Sequence, residues 1–187
     1  MNRPLELLLT LILMVLSAPL GLAAVVLIRL EGGGPAIYRQ RRVGLGGAEF
    51  ELLKFRTMVS GSDPVGVGTI VARDDPRVTR VGRWLRRTSL DELPNLINVL
   101  NGEMALVGPR PTIPAQVADY TTCQHRRHEV RPGITGWAQV QGRAAIPWGE
   151  RIELDIEYVE NRSLRLDMEI LRRTVWLTAS GQGLAPD

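Results

Sequence analysis

Asp91 and Glu92 place two carboxylates side by side at the amino end of a helical pattern. Two accounts of them compete. Ser89-x-x-Glu92 matches a capping box, in which Glu92 would only bond backbone N–H groups at a helix start. Read alone, that structural account is the simpler one. Three neighbours point to chemistry instead. Asp91 doubles the acid, and Pro94 predicts that regular helix begins near it, leaving the acids on an exposed shoulder. Arg86 and Arg87 lie just upstream, while Lys54, Arg56 and Arg110 occupy other loop or edge positions. Paired carboxylates amid cations suit phosphoryl transfer: they can hold a divalent metal, and one can attack phosphorus. The cations and the helix terminus would stabilise charge gathering on the transferred phosphate.

The wider composition agrees with anionic ligands. Lys54 is the only lysine among 23 basic residues, so the net charge of +3 rests on arginine. Guanidinium groups grip phosphate oxygens bidentately and are less costly to desolvate than ammonium. An aromatic content of 5% argues against a nucleic-acid reader built on stacking platforms. Cys123 is the single cysteine, so no internal disulfide forms. His125 and His128 lack a third soft ligand nearby and read, with Arg126 and Arg127, as a solvated basic helix face.

The 187 residues fit one compact domain plus an appendage, and the appendage comes first. Leu7 to Ile28 carries no charge. As a straight helix it would reach roughly 33 Å, enough for a bilayer core of about 30 Å. Pro19 removes an N–H and bends the helix, Gly21 loosens the same turn, and Ser17 can serve a freed carbonyl. Broken there, the arms are only about 18 and 14 Å long. Arg3 precedes the run, and Arg29, Arg39, Arg41 and Arg42 follow it, so the basic excess is not on one side only. These residues leave a spanning helix and a re-entrant hairpin both open. A cleaved signal peptide fits less well, given Glu6 and the over-long apolar run.

Glu31 to Pro35 ends the helix. Ala36–Val43 and Glu49–Met58 flank a glycine-rich turn and predict a β-hairpin. Period-two geometry puts Leu52, Lys54 and Arg56 on one face, which is either an anion-facing patch or an exposed edge. Val59–Pro76 reads as a loop, Thr79–Thr88 as a helix, and Ser89–Leu100 as a second helical stretch. Helix is also expected over Val117–Glu129, Arg151–Asn161 and Leu166–Ala179, with irregular turns at Gly108–Pro111 and Arg131–Gly136. The fold class is therefore α/β, mostly helical with a short β-hairpin. An anchor over 1–31 precedes a catalytic domain over 32–187.

Seven motifs in order carry a family resemblance: Gly34-Pro35, Arg42-Val43-Gly44, Lys54-Phe55-Arg56-Thr57-Met58, Asp75-Pro76-Arg77, Ser89-Leu90-Asp91-Glu92-Leu93-Pro94, Leu106-Val107-Gly108-Pro109-Arg110-Pro111 and Arg131-Pro132-Gly133-Ile134-Thr135-Gly136-Trp137-Ala138-Gln139-Val140. Together they resemble the bacterial sugar transferases known as monotopic phosphoglycosyl transferases, over nearly the whole chain. The resemblance implies that Asp91 attacks the β-phosphorus of a UDP-sugar, releases UMP and forms a covalent phosphosugar-aspartate. A polyprenol (undecaprenyl) phosphate then takes the sugar phosphate, the first membrane step of polysaccharide or glycoconjugate assembly.

It further implies Mg²⁺ at Asp91 and Glu92, and substrate binding by Lys54, Arg56, Arg86, Arg87, Arg110, Pro111, Arg131, Gln139 and Arg143. It selects the re-entrant form of the helix, kinked at Ser17 and Pro19, with the catalytic domain on the cytoplasmic face of the bacterial inner membrane. The implied partners are a UDP-sugar, polyprenol phosphate and the lipid bilayer, with no nucleic acid; a homodimer is compatible. Arg3 and Glu6 stand where the family usually has Lys-Arg and a downstream Asp. The competing function class is a non-catalytic, membrane-tethered anion-binding or scaffolding protein, in which Asp91 and Glu92 cap a helix. A one-step transferase using Asp91 only for metal would form no covalent adduct.

Overall fold

A computed structural model describes residues 1–62, 75–142 and 145–180. The apolar amino-terminal run forms α1 over Arg3–Gly32, opened by the Asn2 side chain, which accepts from the Leu5 N–H at 3.2 Å. Helical structure continues through Pro19, so the two short arms expected from the sequence are parts of one helix. A proline removes a single ladder bond, and the turns on either side carry the helix across it. Ser17 donates its hydroxyl to the Met14 carbonyl at 3.4 Å, whereas the carbonyl four residues before Pro19 belongs to Val15.

One stripe of α1 is buried, through Glu6, Thr10, Ala24 and Ile28, at helical spacing. The opposite side is apolar and bare: Leu16, Leu22 and Leu30 are 71%, 68% and 79% exposed. Among the described residues α1 is the one helix long and apolar enough to cross a membrane by length and composition. Its amino end is docked by polar contacts. The buried Glu6 carboxylate accepts from the Leu106 N–H at 2.9 Å and from Arg3 at 2.8 Å, and the Thr10 hydroxyl donates to the Glu6 carbonyl at 2.7 Å. A buried carboxylate so paired avoids the penalty of an isolated charge.

The hairpin forms as expected, β1 (Ile37–Val43) antiparallel to β2 (Glu49–Phe55), with Arg42 opposite Phe50 and Tyr38 opposite Lys54. The strand ends at Phe55, three residues earlier than the sequence suggested. The free edge of β2 is covered by one side chain from α3 (Asn95–Leu100). Asn98 accepts from the Leu53 N–H at 3.0 Å and donates to the Glu51 carbonyl at 2.7 Å, as a neighbouring strand would. A short parallel pair joins β3 (Ala105–Val107) to β4 (Gly133–Thr135), with β3 packed against α1 and α3.

Two apolar clusters hold these parts. One gathers Leu52, Val99, Met104, Leu106, Tyr158 and Ile170, and the other Ala24, Ile28, Ala36, Phe55 and Leu85. α2 (Arg80–Arg87) joins the second cluster through Leu85, and Gly82 lets its backbone meet the end of β2. A Cβ at Gly82 would stand 2.0 Å from the Thr57 carbonyl oxygen, so only glycine fits. Thr79 and Glu31 cap α2: the Thr79 hydroxyl accepts from the Gly82 N–H at 2.9 Å, and the Glu31 carboxylate takes the Arg80 and Val81 N–H groups at 2.6 and 3.0 Å.

The expected helix over Val117–Glu129 is instead broken into α4 (Pro114–Val117), α5 (Thr122–His125) and a 3₁₀ turn at Arg126–Glu129. Nor is it a solvated basic face. Arg127 and His128 are 3% and 8% exposed, and His128 stacks on Tyr120 at 5.9 Å. Burial, with Arg127 and His125 adding to it, lowers the His128 pKa to about 4. After α6 (Trp137–Gln141), the closing helices α7 (Trp148–Asn161) and α8 (Leu164–Ser180) start two to three residues earlier than expected.

Candidate active site

The link between α2 and α3 aims the acid pair. Thr88 closes α2 by donating its hydroxyl to the Trp84 and Leu85 carbonyls at 3.0 and 3.1 Å. Ser89 then turns the chain with φ of 55°, the only positive φ outside glycine among the described residues. A 3₁₀ turn over Leu90–Glu92 follows. Leu90 and Leu93, three residues apart, pack inward on the apolar clusters, which leaves Asp91 and Glu92 facing the hairpin. The capping box is absent: Ser89 makes no cap hydrogen bond, because a left-handed residue does not hold the extended backbone of an N-cap.

Glu92 turns to cations instead. Its Oε1 accepts from Lys54 Nζ at 2.7 Å and from Arg110 Nη2 at 2.9 Å. Burial works against the Glu92 charge, but Arg110 and Lys54 outweigh it and hold the carboxyl well below the usual range. Arg110 is raised in turn by Glu92. Burial pulls Lys54 down, and Glu92 opposes it. Asp91 behaves differently. Burial and the Glu92 charge raise its pKa, against Lys54, Arg110 and Arg86. Among the described residues no side chain hydrogen bonds or pairs with the Asp91 carboxylate. One acid is clamped, and its neighbour lies near cations with no such clamp among the described residues.

Arg110 reaches Glu92 because glycines bring two distant segments into backbone contact. A Cβ at Gly133 would stand 2.1 Å from the Gly108 nitrogen, and one at Gly136 2.2 Å from the Gly108 oxygen. This contact fixes the turn Gly108–Pro111, and the Val43 N–H seals it to β1 by donating to the Thr112 carbonyl at 2.8 Å. Arg42 is thereby brought in, its Nη1 donating to the Pro111 carbonyl at 3.0 Å. Burial and Arg110 lower its pKa to about 10. A small cavity between these segments is lined by Arg42, Lys54, Glu92, Asn95, Arg110 and Pro111. Sequence reasoning left Arg42 and Asn95 out of the site. The hairpin register could have found Arg42, since Tyr38, Gln40 and Arg42 share a face with Lys54.

Beneath Arg110 lies a buried ion pair. Arg127 pairs with Asp155, donates to the Arg110 carbonyl at 2.9 Å and to the Tyr120 hydroxyl at 2.6 Å. Burial raises Asp155 to about 6 even though Arg127 opposes it.

The other expected residues divide. Arg86 flanks the acids, its Nε donating to Thr57 Oγ1 at 3.2 Å; burial lowers its pKa while the Asp91 and Asp75 charges raise it. Arg87 is exposed at the end of α2. Arg56 is turned away, because the strand stops before it. It binds the Gly33 carbonyl and Ser60 Oγ, the latter at 2.8 Å, and so fastens the end of α1. Arg131 donates to the Gly102 carbonyl at 2.8 Å, and Gln139 to the Ile134 carbonyl at 3.1 Å, with its Oε1 buried and unpartnered. Both support the turns around the site and are not among the residues lining the cavity. Arg143 lies outside the described residues.

A family model described as bacterial sugar transferase matches residues 1–181. The chain is 47% identical over 163 residues to an uncharacterized sugar transferase of Bacillus subtilis (strain 168), covering 87% of this chain and 79% of that one. It is 46% identical over 183 residues to the UDP-glucose:undecaprenyl-phosphate glucose-1-phosphate transferase of Caulobacter vibrioides, covering 93% and 68%. A UDP-N-acetylgalactosamine-undecaprenyl-phosphate N-acetylgalactosaminephosphotransferase of Aeromonas hydrophila is 43% identical over 189 residues, covering 97% of this chain and 44% of that one.

Proposed function

The chain belongs to the bacterial sugar transferase family, and on that premise we propose that it moves a sugar-1-phosphate from a UDP-sugar to a polyprenol phosphate through a covalent intermediate on Asp91. The observation that carries this reading is the asymmetry of the acid pair. Glu92 is held by Lys54 and Arg110, while Asp91, near the same cations, has no side-chain hydrogen bond or ion pair among the described residues. A nucleophile needs that freedom, and a raised pKa keeps it more basic than an ordinary aspartate.

In the first step an Asp91 oxygen attacks the phosphorus that bears the sugar. The bond from that phosphorus to the bridging oxygen breaks, and UMP leaves with the electron pair. Lys54, Arg42 and Arg110 offset the charge that gathers on the phosphates. In the second step a phosphate oxygen of the polyprenol attacks the same phosphorus, the Asp91 carboxylate leaves, and polyprenol-diphospho-sugar is formed. The donor set suits Mg²⁺, which takes hard oxygens from one or two carboxylates together with substrate phosphates. Asp91 and Glu92 Oε2 would hold it, because both cations bond Glu92 through Oε1. Bound there, the ion would neutralise diphosphate charge. This step would open polysaccharide or glycoconjugate assembly.

The reading is tested by incubating detergent-solubilised protein with Mg²⁺, polyprenol phosphate and a panel of UDP-sugars, and measuring UMP. Relatives at similar identity are named for glucose and for N-acetylgalactosamine, so the panel must span both configurations. One or more sugars should release UMP in step with lipid product. If none does, the transferase reading falls.

We also propose that α1 is a monotopic anchor, both of its ends on the cytoplasmic side. Glu6 and Ile28, about 33 Å apart along the helix, both pack on the same domain. A helix crossing the bilayer would draw that domain's charged surface into hydrocarbon. In intact spheroplasts, Asn2→Cys and Gly33→Cys variants, each made with Cys123→Ser so that the new thiol is the only one, should both resist a membrane-impermeant maleimide that labels them after lysis. Labelling of either one in intact cells would exclude this topology.

A further inference from the structure

The outward face of α2 is a stripe of cations around one indole. Arg80, Arg83, Trp84 and Arg87 recur at helical spacing, and all four are exposed. The same helix turns Leu85 inward onto Ala24 and Ile28 of α1, and Glu31 of α1 caps its first turn. The stripe is therefore fixed beside the last turns of α1, where Leu27 and Leu30 are bare and apolar. Arg80 and Arg83 also border a groove of about 390 Å³ whose apolar wall is Ile28, Met58 and Val78. Glu31 is the one acid among the described residues that line it, and its carboxylate is taken up by two backbone N–H groups. Arg83 donates from Nη1 alone, to the Val78 carbonyl at 3.1 Å, and the Arg80 guanidinium makes no hydrogen bond or ion pair among the described residues.

A ligand for this place must suit cations, an indole and bare aliphatic side chains together. Residues three apart on a helix have Cβ atoms about 5–6 Å apart, so Arg80 and Arg83 can close on one phosphodiester. With Glu31 occupied, no free acid among the lining residues receives a choline or ethanolamine ammonium, which favours a headgroup of net negative charge. A soluble anion would leave Leu30 and Val59, 79% and 56% exposed, in water, whereas acyl chains would cover them. Cations and an indole at the foot of an apolar helix are the pattern of a bilayer interface. We propose that the outer face of α2 and the groove beside it bind the headgroup of an anionic phospholipid, with Arg80 and Arg83 on its phosphate, Trp84 at the glycerol level and the acyl chains along α1. This site seats the domain on the leaflet and takes no part in phosphoryl transfer, since neither Asp91 nor Arg86 lines it. The proposal rests on the reading of α1 as a membrane anchor.

The full chain in nonionic micelles is titrated with phosphatidylglycerol or phosphatidylcholine, each brominated along its acyl chains. Quenching of Trp84 is read as the difference between wild type and Trp84→Phe. Half-quenching should need about tenfold less phosphatidylglycerol than phosphatidylcholine, or better, because each arginine near an anionic surface is worth roughly fivefold. The preference should shrink as salt is raised. Arg80→Gln/Arg83→Gln should bring the phosphatidylglycerol curve onto an unchanged phosphatidylcholine curve, while Arg80→Lys/Arg83→Lys keeps the two apart. Both side chains are exposed and the α2 caps use only backbone N–H groups, so the fold is retained in each variant. Coincident wild-type curves overturn the proposal alone, and so does a preference that survives in the glutamine variant. Inorganic phosphate that displaces phosphatidylglycerol at equal concentration would assign the arginines to a soluble anion and overturn it too. Wild-type protein that fails to float with vesicles of either lipid overturns the anchor reading, and this one with it.

Discussion

Asp91→Asn abolishes turnover, with UMP release in the presence of both substrates falling by about 10⁴-fold or more, the scale of losing a nucleophile. The substitution preserves size and most packing, so the fold and detergent behaviour of the variant match wild type. Asn lacks the negative charge that attacks phosphorus, and its amide is a poor leaving group for the second step. The size of the loss separates the candidates for Asp91. A residue that only helped hold a metal would leave a slow reaction, since Glu92 Oε2 and the substrate phosphates remain. Glu92→Gln should be milder, about 10²–10³-fold, the cost of removing one preorganised electrostatic contact. If Asp91→Asn turns over within tenfold of wild type, Asp91 is not the nucleophile and the asymmetry of the pair has been misread.

Arg127→Met destabilises the protein by about 3–5 kcal/mol at pH 8, the usual result of removing one partner of a buried ion pair. Both Arg127 and Asp155 are almost wholly enclosed, which is why the surface discount for ion pairs does not apply. The deficit should shrink as the pH falls. Burial already raises Asp155 to about 6 in the folded protein, above its ordinary value, and losing Arg127 raises it further. The folded state then binds a proton at a pH where the unfolded state does not. The penalty is therefore full above the folded-state value and is relieved as the pH drops toward the unfolded one. Thermal unfolding at pH 8 and pH 5 reads this directly. A deficit that is constant with pH would mean that Asp155 does not carry the penalty. Arg127→Met/Asp155→Leu should recover much of the lost stability while activity stays low, because the Arg110 carbonyl has still lost its donor.

Local pattern made much of this legible. The apolar run, the glycine-turned hairpin, the helix after Thr79 and the acid pair are all short-range features, and each formed close to where period and turn chemistry put it. What escaped were contacts between distant backbones. Period-two alternation carried Arg56 into the site, but Gly82 meets the Thr57 carbonyl, the strand stops at Phe55, and Arg56 swings to the end of α1. The Gly108 contacts with Gly133 and Gly136 join segments 25 and 28 residues apart, and they place Arg110; a turn propensity contains none of that. Arg127 reads as a surface charge because the sequence around it predicts one helix with a solvated basic face; the run is cut instead into single turns that fold Arg127 inward. Ser89-x-x-Glu92 offered a structural alternative that its neighbours already argued against. It has the composition of a capping box, and the left-handed turn at Ser89 removes the geometry such a box needs.

The covalent step is most directly tested by intact mass. Protein is mixed with Mg²⁺ and an accepted UDP-sugar, no polyprenol phosphate is added, and the sample is quenched and weighed. Wild type should gain the mass of one sugar phosphate, in proportion to the UMP released, and lose it again when polyprenol phosphate is supplied. Asp91→Asn should show neither adduct nor burst. A wild-type enzyme that turns over with both substrates present, yet never gains mass or releases UMP with the UDP-sugar alone, would contradict the account and leave Asp91 as a ligand in a single-step transfer.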